Sequence, residues 1–291
     1  MPQADLSSQI ILVTGATSGI GRATAAGLAR RGAHVVVLAR DAAKAHATQA
    51  EIVAETPGAR VDILLADLAD LGQVRRAAAE FNARYPRLDV LVNNAGLLAT
   101  AQRRTSPDGY ELTLAINHLG PFLLTALLFD KLRQSPAARI VNTSSALHKQ
   151  ARPDFDDLQQ TRGYGAVGVY ANTKLYNVLF TQELDRRLRA HGITTITTNA
   201  LHPGVVATGF GKGTNTLLGS AIGLVRPFLL SADKGAQTTL FLAADPAVAS
   251  RSGGYYDKQR LEPVRHPFAT PDNGRRLWEM SEELTGARFL A

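Results

Sequence analysis

The chain has 291 residues, of which 45% are hydrophobic, enough to bury one sizeable α/β core. It contains no cysteine, which excludes disulfides, thiolate catalysis and cysteine–metal sites. Its net charge of +7 comes from 32 Lys+Arg against 25 Asp+Glu spread along the chain, so a solvated surface is a better reading than a nucleic-acid patch.

The chain opens with "MPQADLSSQIILVTG", which lacks the charged start and apolar stretch of a signal peptide, and a cytoplasmic location is expected. No run of about 18 apolar residues occurs, so no membrane span is predicted. Apolar, β-branched runs at 10–14, 34–39, 61–66, 88–93 and 138–144 predict five short buried strands, and 193–201 a sixth. Between them, 19–31, 41–55, 70–85 and 108–134 have helical length and composition. This alternation predicts one doubly wound Rossmann-type α/β domain over 1–291, a parallel sheet with helices on both faces. Two segments break the rhythm. Residues 146–168 insert polar, glycine-containing chain, and residues 205–232 are glycine-rich and apolar. The second follows the sixth strand, where it is placed to cover a ligand crevice as a lid that favours apolar substrates.

The first strand runs into "TGATSGIG" at 14–21. Glycines 15, 19 and 21 between a strand and a helix let the backbone turn tightly and approach a diphosphate, which the helix N-terminus then attracts. At the tip of the second strand stand Ala39 and Arg40, with no acid to accept ribose hydroxyls. A guanidinium there suits a 2′-phosphate, so NADP(H) is favoured over NAD(H). Asp41 reads as the cap of the next helix. Further on, "YANTK" places Tyr170 and Lys174 one helical turn apart on one face. A cation so placed lowers a phenol's pKa and fits it for acid–base work, although the same spacing also arises as an ordinary surface pair.

Taken in order, these segments resemble the short-chain dehydrogenase/reductase family over nearly the whole chain. The matching motifs are Thr14–Gly21, Asp67–Leu68, "NNAG" at 93–96, Asn117, "NTSS" at 142–145, Tyr170-x-x-x-Lys174 and "HPGVVAT" at 202–208. Within the family, "DFDDL" at 154–158, "YANTKLYNVLFTQEL" at 170–184 and "LWEMSEELTG" at 277–286 look like the retinol-dehydrogenase-like branch.

The resemblance implies hydride transfer between a nicotinamide and a carbonyl or alcohol of a small molecule. Tyr170 would be the acid/base, Lys174 its modulator and a holder of the nicotinamide ribose. A serine would steady the carbonyl oxygen, and the family's spacing from Asn142 selects Ser145 over Ser144. Asn117 would kink the long helix and hold a water linking Lys174 to solvent. The cofactor would be held by Gly15, Thr17, Ser18, Gly19, Ile20 and Gly21, by Arg40, by Asp67 and Leu68 at the adenine, and by Asn94, Ala95 and Gly96. Pro203, Val206 and Thr208 would complete the site beside Tyr170 and Lys174. Asn93 reads as a structural tie between strands. His118, His148 and His202 read as structural rather than as metal ligands, and no metal is expected. The helical faces of 108–134 and 168–190 could form a homodimer. A dinucleotide-binding sensor without catalysis is the alternative, weighed against by the presence of Asn117, Ser145, Tyr170 and Lys174; a sugar-nucleotide epimerase or dehydratase fits the glycine spacing less well.

Overall fold

A computed structural model describes residues 5–98, 100–204 and 230–290. The strands β1 (Ile10–Thr14), β2 (His34–Ala39), β3 (Arg60–Leu65), β4 (Val90–Asn93), β5 (Ala138–Thr143), β6 (Ile196–His202), β7 (Tyr255–Asp257) and β8 (Arg260–Glu262) form one sheet in the order β3-β2-β1-β4-β5-β6-β7-β8. All neighbours pair in parallel except β7 and β8. The reversal of strand order at β1 and β4 opens the crevice in which doubly wound folds bind dinucleotides.

Continuous apolar strands arise because both faces are covered. Leu12, Val36, Leu38 and Leu91 point into one core, while Ile11, Val13, Val35, Val37, Val90 and Val92 point into the other. The second core is closed by α1 (Gly19–Ala29) and α2 (Ala42–Glu55), together with α8 (Ala232–Ala244). Asp41 caps α2 as the sequence predicts, its side chain accepting from the Lys44 amide at 3.0 Å. The first core lies under α3 (Leu71–Arg84), α5 (Gly120–Leu127), α6 (Phe129–Arg133), α7 (Ala166–Ala190) and α9 (Pro271–Thr285).

The single helix expected over 108–134 is three pieces. Short α4 (Leu112–Leu114) passes into a π-turn at Ala115–Leu119, then α5 and α6 follow. The π-turn closes where the Gly120 amide donates to the Ala115 carbonyl, immediately before Pro121, which has no amide to donate. Gly120 also packs directly on the β3–α3 connection: a Cβ there would stand 2.6 Å from the Leu68 carbonyl oxygen. The insertion at 146–168 contains two 3-10 turns, Ala146–Gln150 and Phe155–Asp157, and the first turn of α7. Residues 205–229 of the expected lid lie outside the described residues.

Part of the helical surface of 108–134 and 168–190 is covered within the chain. α9 lies along α7 and the π-turn, and Trp278 and Phe289 pack on Phe122 of α5 and on one another, with Trp278 stacked on Phe180 of α7. Those rings are buried. Among the described residues, no helix is long and apolar enough to cross a membrane.

Candidate active site

The glycine loop is shaped by contacts that forbid side chains. Gly15 and Gly19 have φ of 65° and 52°, the left-handed region that L side chains rarely adopt. A Cβ on Gly15 would stand 2.8 Å from Ala95 Cα, and one on Gly21 would stand 2.2 Å from the Gly15 carbonyl oxygen. The loop is stitched to β4 by Thr14, whose hydroxyl donates to the Val92 carbonyl at 3.2 Å and accepts from the Asn94 and Ala95 amides at 3.0 Å each. The Asn94 side chain donates to the Thr14 carbonyl at 2.9 Å. So Thr14, Asn94 and Ala95 brace the loop, a task the sequence did not reveal although it places all three in motifs.

Helix α1 starts at Ser18, whose side chain makes no cap bond, and its first turn carries no acid. Its amides at Gly19, Ile20 and Gly21 and its positive dipole end therefore suit a diphosphate. Thr17 is half-buried beside them. Arg40 is exposed at the tip of β2 directly after buried Ala39. Asp67 is half-buried and accepts from the Ala69 amide at 2.9 Å, while Leu68 is buried. These groups follow the carboxyl ends of β1 to β3, and their chemistry fits a dinucleotide: amides for a diphosphate, a guanidinium for a phosphate and a carboxylate with an apolar neighbour for a base.

Across the crevice, α7 presents Tyr170 and Lys174, both buried. The Lys174 ammonium lies 5.4 Å from the centroid of the Tyr170 ring and donates to the Thr143 carbonyl at 3.1 Å. That carbonyl also accepts from the Asn177 side chain at 3.1 Å. The Ser145 hydroxyl lies beside the Tyr170 phenol, close enough to favour its ionised form. Ser144 is turned away: its hydroxyl donates to the Lys174 carbonyl at 2.7 Å. Its amide still pairs with the Leu201 carbonyl, so it remains in the register of β5 and β6, and Ser145 falls on the opposite, crevice side.

Asn117 lies in the π-turn, as the expected kink requires. Its side chain is fully engaged, accepting from the Leu97 amide at 2.7 Å and donating to the Leu97 carbonyl and the Thr173 hydroxyl at 3.0 Å each. Thr173 in turn donates to the Tyr170 carbonyl at 2.8 Å, so the turn is tied to the Tyr170 segment. Gly96 sits between them, its missing Cβ leaving 3.3 Å to Lys174 Nζ and 3.5 Å to Asn117 Oδ1.

Burial sets both ionisations. It pushes the Tyr170 phenol up to about 12, opposed by the Ser145 hydrogen bond, and pulls the Lys174 ammonium down to about 8. The sequence reading had the cation lowering the phenol. In the structure Lys174 is aimed at Thr143, and desolvation dominates both groups.

His118, His148 and His202 are all buried. His118 Nε2 meets the Ser281 hydroxyl at 2.8 Å, joining the π-turn to α9. His148 Nδ1 meets the Ser145 carbonyl at 2.7 Å. His202 ends β6 before Pro203 and Gly204, whose φ of 84° turns the chain. Val206 and Thr208 lie outside the described residues. Asn93 does hold strands together, donating to Asn142 at 2.9 Å and to Thr125 at 3.2 Å. Asn142 extends that ladder to Thr181 and Thr198.

A family model of the short chain dehydrogenases matches residues 9–217. Human retinol dehydrogenase 13 is 39% identical over 98% of this chain and 86% of its own length. A Streptomyces sp. (strain C5) protein, named provisionally as a daunorubicin C-13 ketoreductase, is 41% identical over 98% of this chain and 95% of its own. Among solved structures, an uncharacterised protein from Mycobacterium paratuberculosis superposes with a TM-score of 0.78 at 34% identity, covering 99% of this chain and 97% of that one. An Escherichia coli CFT073 protein described as a short chain dehydrogenase, complexed with NADPH, gives 0.69 at 27% identity over 89% of this chain and all of its own. This chain belongs to the short-chain dehydrogenase family, in its retinol-dehydrogenase-like branch, and is an oxidoreductase of that family.

Proposed function

We propose that this protein interconverts a carbonyl and an alcohol on an apolar small molecule, with NADP(H) as its redox partner. The observation that carries the reading is the cluster of Tyr170, Lys174 and Ser145, buried together, with the Lys174 ammonium 5.4 Å from the centroid of the Tyr170 ring.

The bound dinucleotide supplies the hydride in reduction and accepts it in oxidation. The chain does the rest. Near neutral pH Tyr170 is a phenol, since burial holds its pKa at about 12, so it holds the proton that a reduced carbonyl oxygen needs. Ser145 donates to the same oxygen and steadies the negative charge that grows there. Lys174, 5.4 Å from the centroid of the Tyr170 ring, would hold the nicotinamide ribose, and oxidation runs the same proton back to Tyr170. Asn117 braces Leu97 against Thr173 and so holds the crevice wall and the Tyr170 segment in one geometry. Gly15, Thr17, Ser18, Gly19, Ile20 and Gly21 would take the diphosphate, Asp67 and Leu68 the adenine side, and Pro203, Val206 and Thr208 the nicotinamide side.

Three things support NADP(H): Arg40, the absence of an acid at position 39, and the complexes of family neighbours with NADPH and NADP. An apolar substrate is supported by the composition of 205–232 and by relatives named for retinol and daunorubicin. The test is a panel of carbonyls and alcohols assayed with both cofactors. Turnover should be fastest with NADPH or NADP, should rise with alkyl or aryl tail length, and should vanish in Tyr170→Phe while cofactor still binds. A preference for NADH, or for small polar sugars with no gain from added methylenes, would refute the corresponding half of the reading.

A further inference from the structure

Ser145 is held by its backbone as well as by its side chain. It precedes the 3-10 turn at Ala146–Gln150 in an extended conformation, and its hydroxyl accepts from the Leu147 amide at 3.2 Å. Its carbonyl takes two donors from one residue: the His148 amide at 3.1 Å and His148 Nδ1 at 2.7 Å. A carbonyl can only accept, so Nδ1 carries the proton and the tautomer is fixed.

The ring has little freedom. His148 is 1% exposed and stands edge-on to Tyr255 of β7, with ring centroids 4.7 Å apart. Tyr255 is itself buried, and its strand pairs with β6. Burial, Lys149 and His266 all lower the His148 pKa, while the Ser145 carbonyl opposes them. The far end of the turn is held by His266, whose Nε2 meets the Ala151 carbonyl at 3.1 Å.

We propose that His148 is a positioning residue: its Nδ1–H clamps the Ser145 carbonyl against β7 and so keeps the Ser145 hydroxyl on the Tyr170 phenol. The proposal rests on the reading of Ser145 and Tyr170 given above. Reacting groups must be held within about 0.5 Å of the productive geometry, and a misplacement of about 1 Å can cost about a hundredfold in rate. On its downstream side Ser145 is held by the backbone through a single 3-10 bond, from the His148 amide to its carbonyl at 3.1 Å. The imidazole supplies a second hold on that carbonyl.

Two variants separate positioning from packing. His148→Leu fills the space without a donor, and His148→Asn returns an N–H close to the position of Nδ1. In His148→Leu, kcat for a carbonyl that the wild type reduces should fall about ten- to a hundredfold, with KM and the NADPH dissociation constant changed less than about threefold. The alkaline limb of its kcat profile should move to higher pH, because the phenolate loses the Ser145 hydrogen bond. His148→Asn should recover most of kcat. In a Ser145→Ala background, His148→Leu should cost little more, since coupled residues are not additive. Wild-type kcat and pH profile in His148→Leu would overturn the proposal, as would equal losses with and without Ser145, or failure of Asn to rescue at equal thermal stability. Crystal structures of the two variants give a readout independent of turnover. Ser145 Oγ should leave the Tyr170 hydroxyl in the Leu variant and stay in the Asn variant; an unmoved Oγ in the Leu variant would also overturn the proposal. A wild type that turns over no carbonyl or alcohol would sink the proposed function alone.

Discussion

Lys174 carries an ammonium with no acid beside it among the described residues; its hydrogen-bond acceptor is the Thr143 carbonyl. Burial lowers its pKa from 10.5 to about 8, so the unfolded chain binds more protons between those values. Stability therefore rises with pH from about 8 to 10.5, and the full penalty applies below 8. Lys174→Met should abolish turnover yet raise stability at pH 7, by up to about 3 kcal/mol. The Thr143 carbonyl keeps its Asn177 partner in that variant. Denaturant titrations at pH 7 and 10.5 check it: the gain should shrink at the higher pH, and a loss at pH 7 would contradict the account. The serines give a second test. Ser145→Ala should slow turnover by about a hundredfold or more, whereas Ser144→Ala removes one bond to a backbone carbonyl and should cost about 1 kcal/mol of stability with little change in rate. The reverse order in kcat would show that Ser144 is the active hydroxyl. At this scale the Tyr170–Lys174 pair was legible because one helical turn fixes a shared face. The sign of the phenol's pKa shift was not legible, because burial is set by the 3-10 turn and loop that close over α7 and have no signature in the spacing.

The first two strands have the boundaries their apolar runs predict, because each run ends in a turn. The 108–134 helix was legible as helical, and a kink at Asn117 only through the family likeness; its division into three pieces was not legible, because it depends on Gly120 meeting Leu68, a contact 52 residues distant in sequence. Strands β7 and β8, three residues each, are too short to show a period; β6 offers β7 an edge, and β7 offers one to β8. The π-turn brings a histidine into the core. His118 is fully buried among Phe122, Tyr176 and Phe180, and burial pushes its pKa down to about 4. Since Ser281 donates its own proton to the Leu277 carbonyl, its oxygen accepts from His118 Nε2–H. The folded pKa lies below the unfolded value of 6.5, so the unfolded chain binds more protons between pH 6.5 and 4 and stability falls as pH falls through that window. His118→Gln should keep a donor for Ser281 and remove that titration. Its stability should fall less steeply than wild type between pH 6.5 and 4, by about 3 kcal/mol at the acid end. Equal slopes in urea titrations across that range would show that His118 is not held neutral.

For the molecule as a whole, the C-terminal segment decides how the helices that carry Asn117 and Tyr170 are supported. α9 was legible only as a family likeness, since nothing local states what its apolar stripe will cover. It covers α5 and α7, and Trp278 is the joint. The ring is 1% exposed, lies within 5.2 Å of Phe122 and 4.6 Å of Phe289 by centroids, and stacks on Phe180 at 20°. The Arg187 guanidinium lies 4.6 Å over it. Arg187 also pairs with buried Glu183 of α7, so the indole, the cation and the carboxylate bind α9 to the helix that carries Tyr170. The His118–Ser281 bond makes a second link, to the turn that carries Asn117. Two links to the active-site helices imply that α9 does not leave while they remain ordered. Trp278 is the only tryptophan in the chain, so its fluorescence reports on this joint alone. In an equilibrium denaturant titration, tryptophan fluorescence, far-UV circular dichroism and residual activity should give one coincident transition, the mark of a single cooperative unit. Trp278→Ala should move the circular dichroism transition to lower denaturant by the equivalent of about 3–5 kcal/mol, and should leave the oligomeric state unchanged, because the face it exposes is internal to one chain. A fluorescence transition preceding the loss of helix and of activity would show instead that α9 is a separate unit, and that Asn117 and Tyr170 hold their places without it.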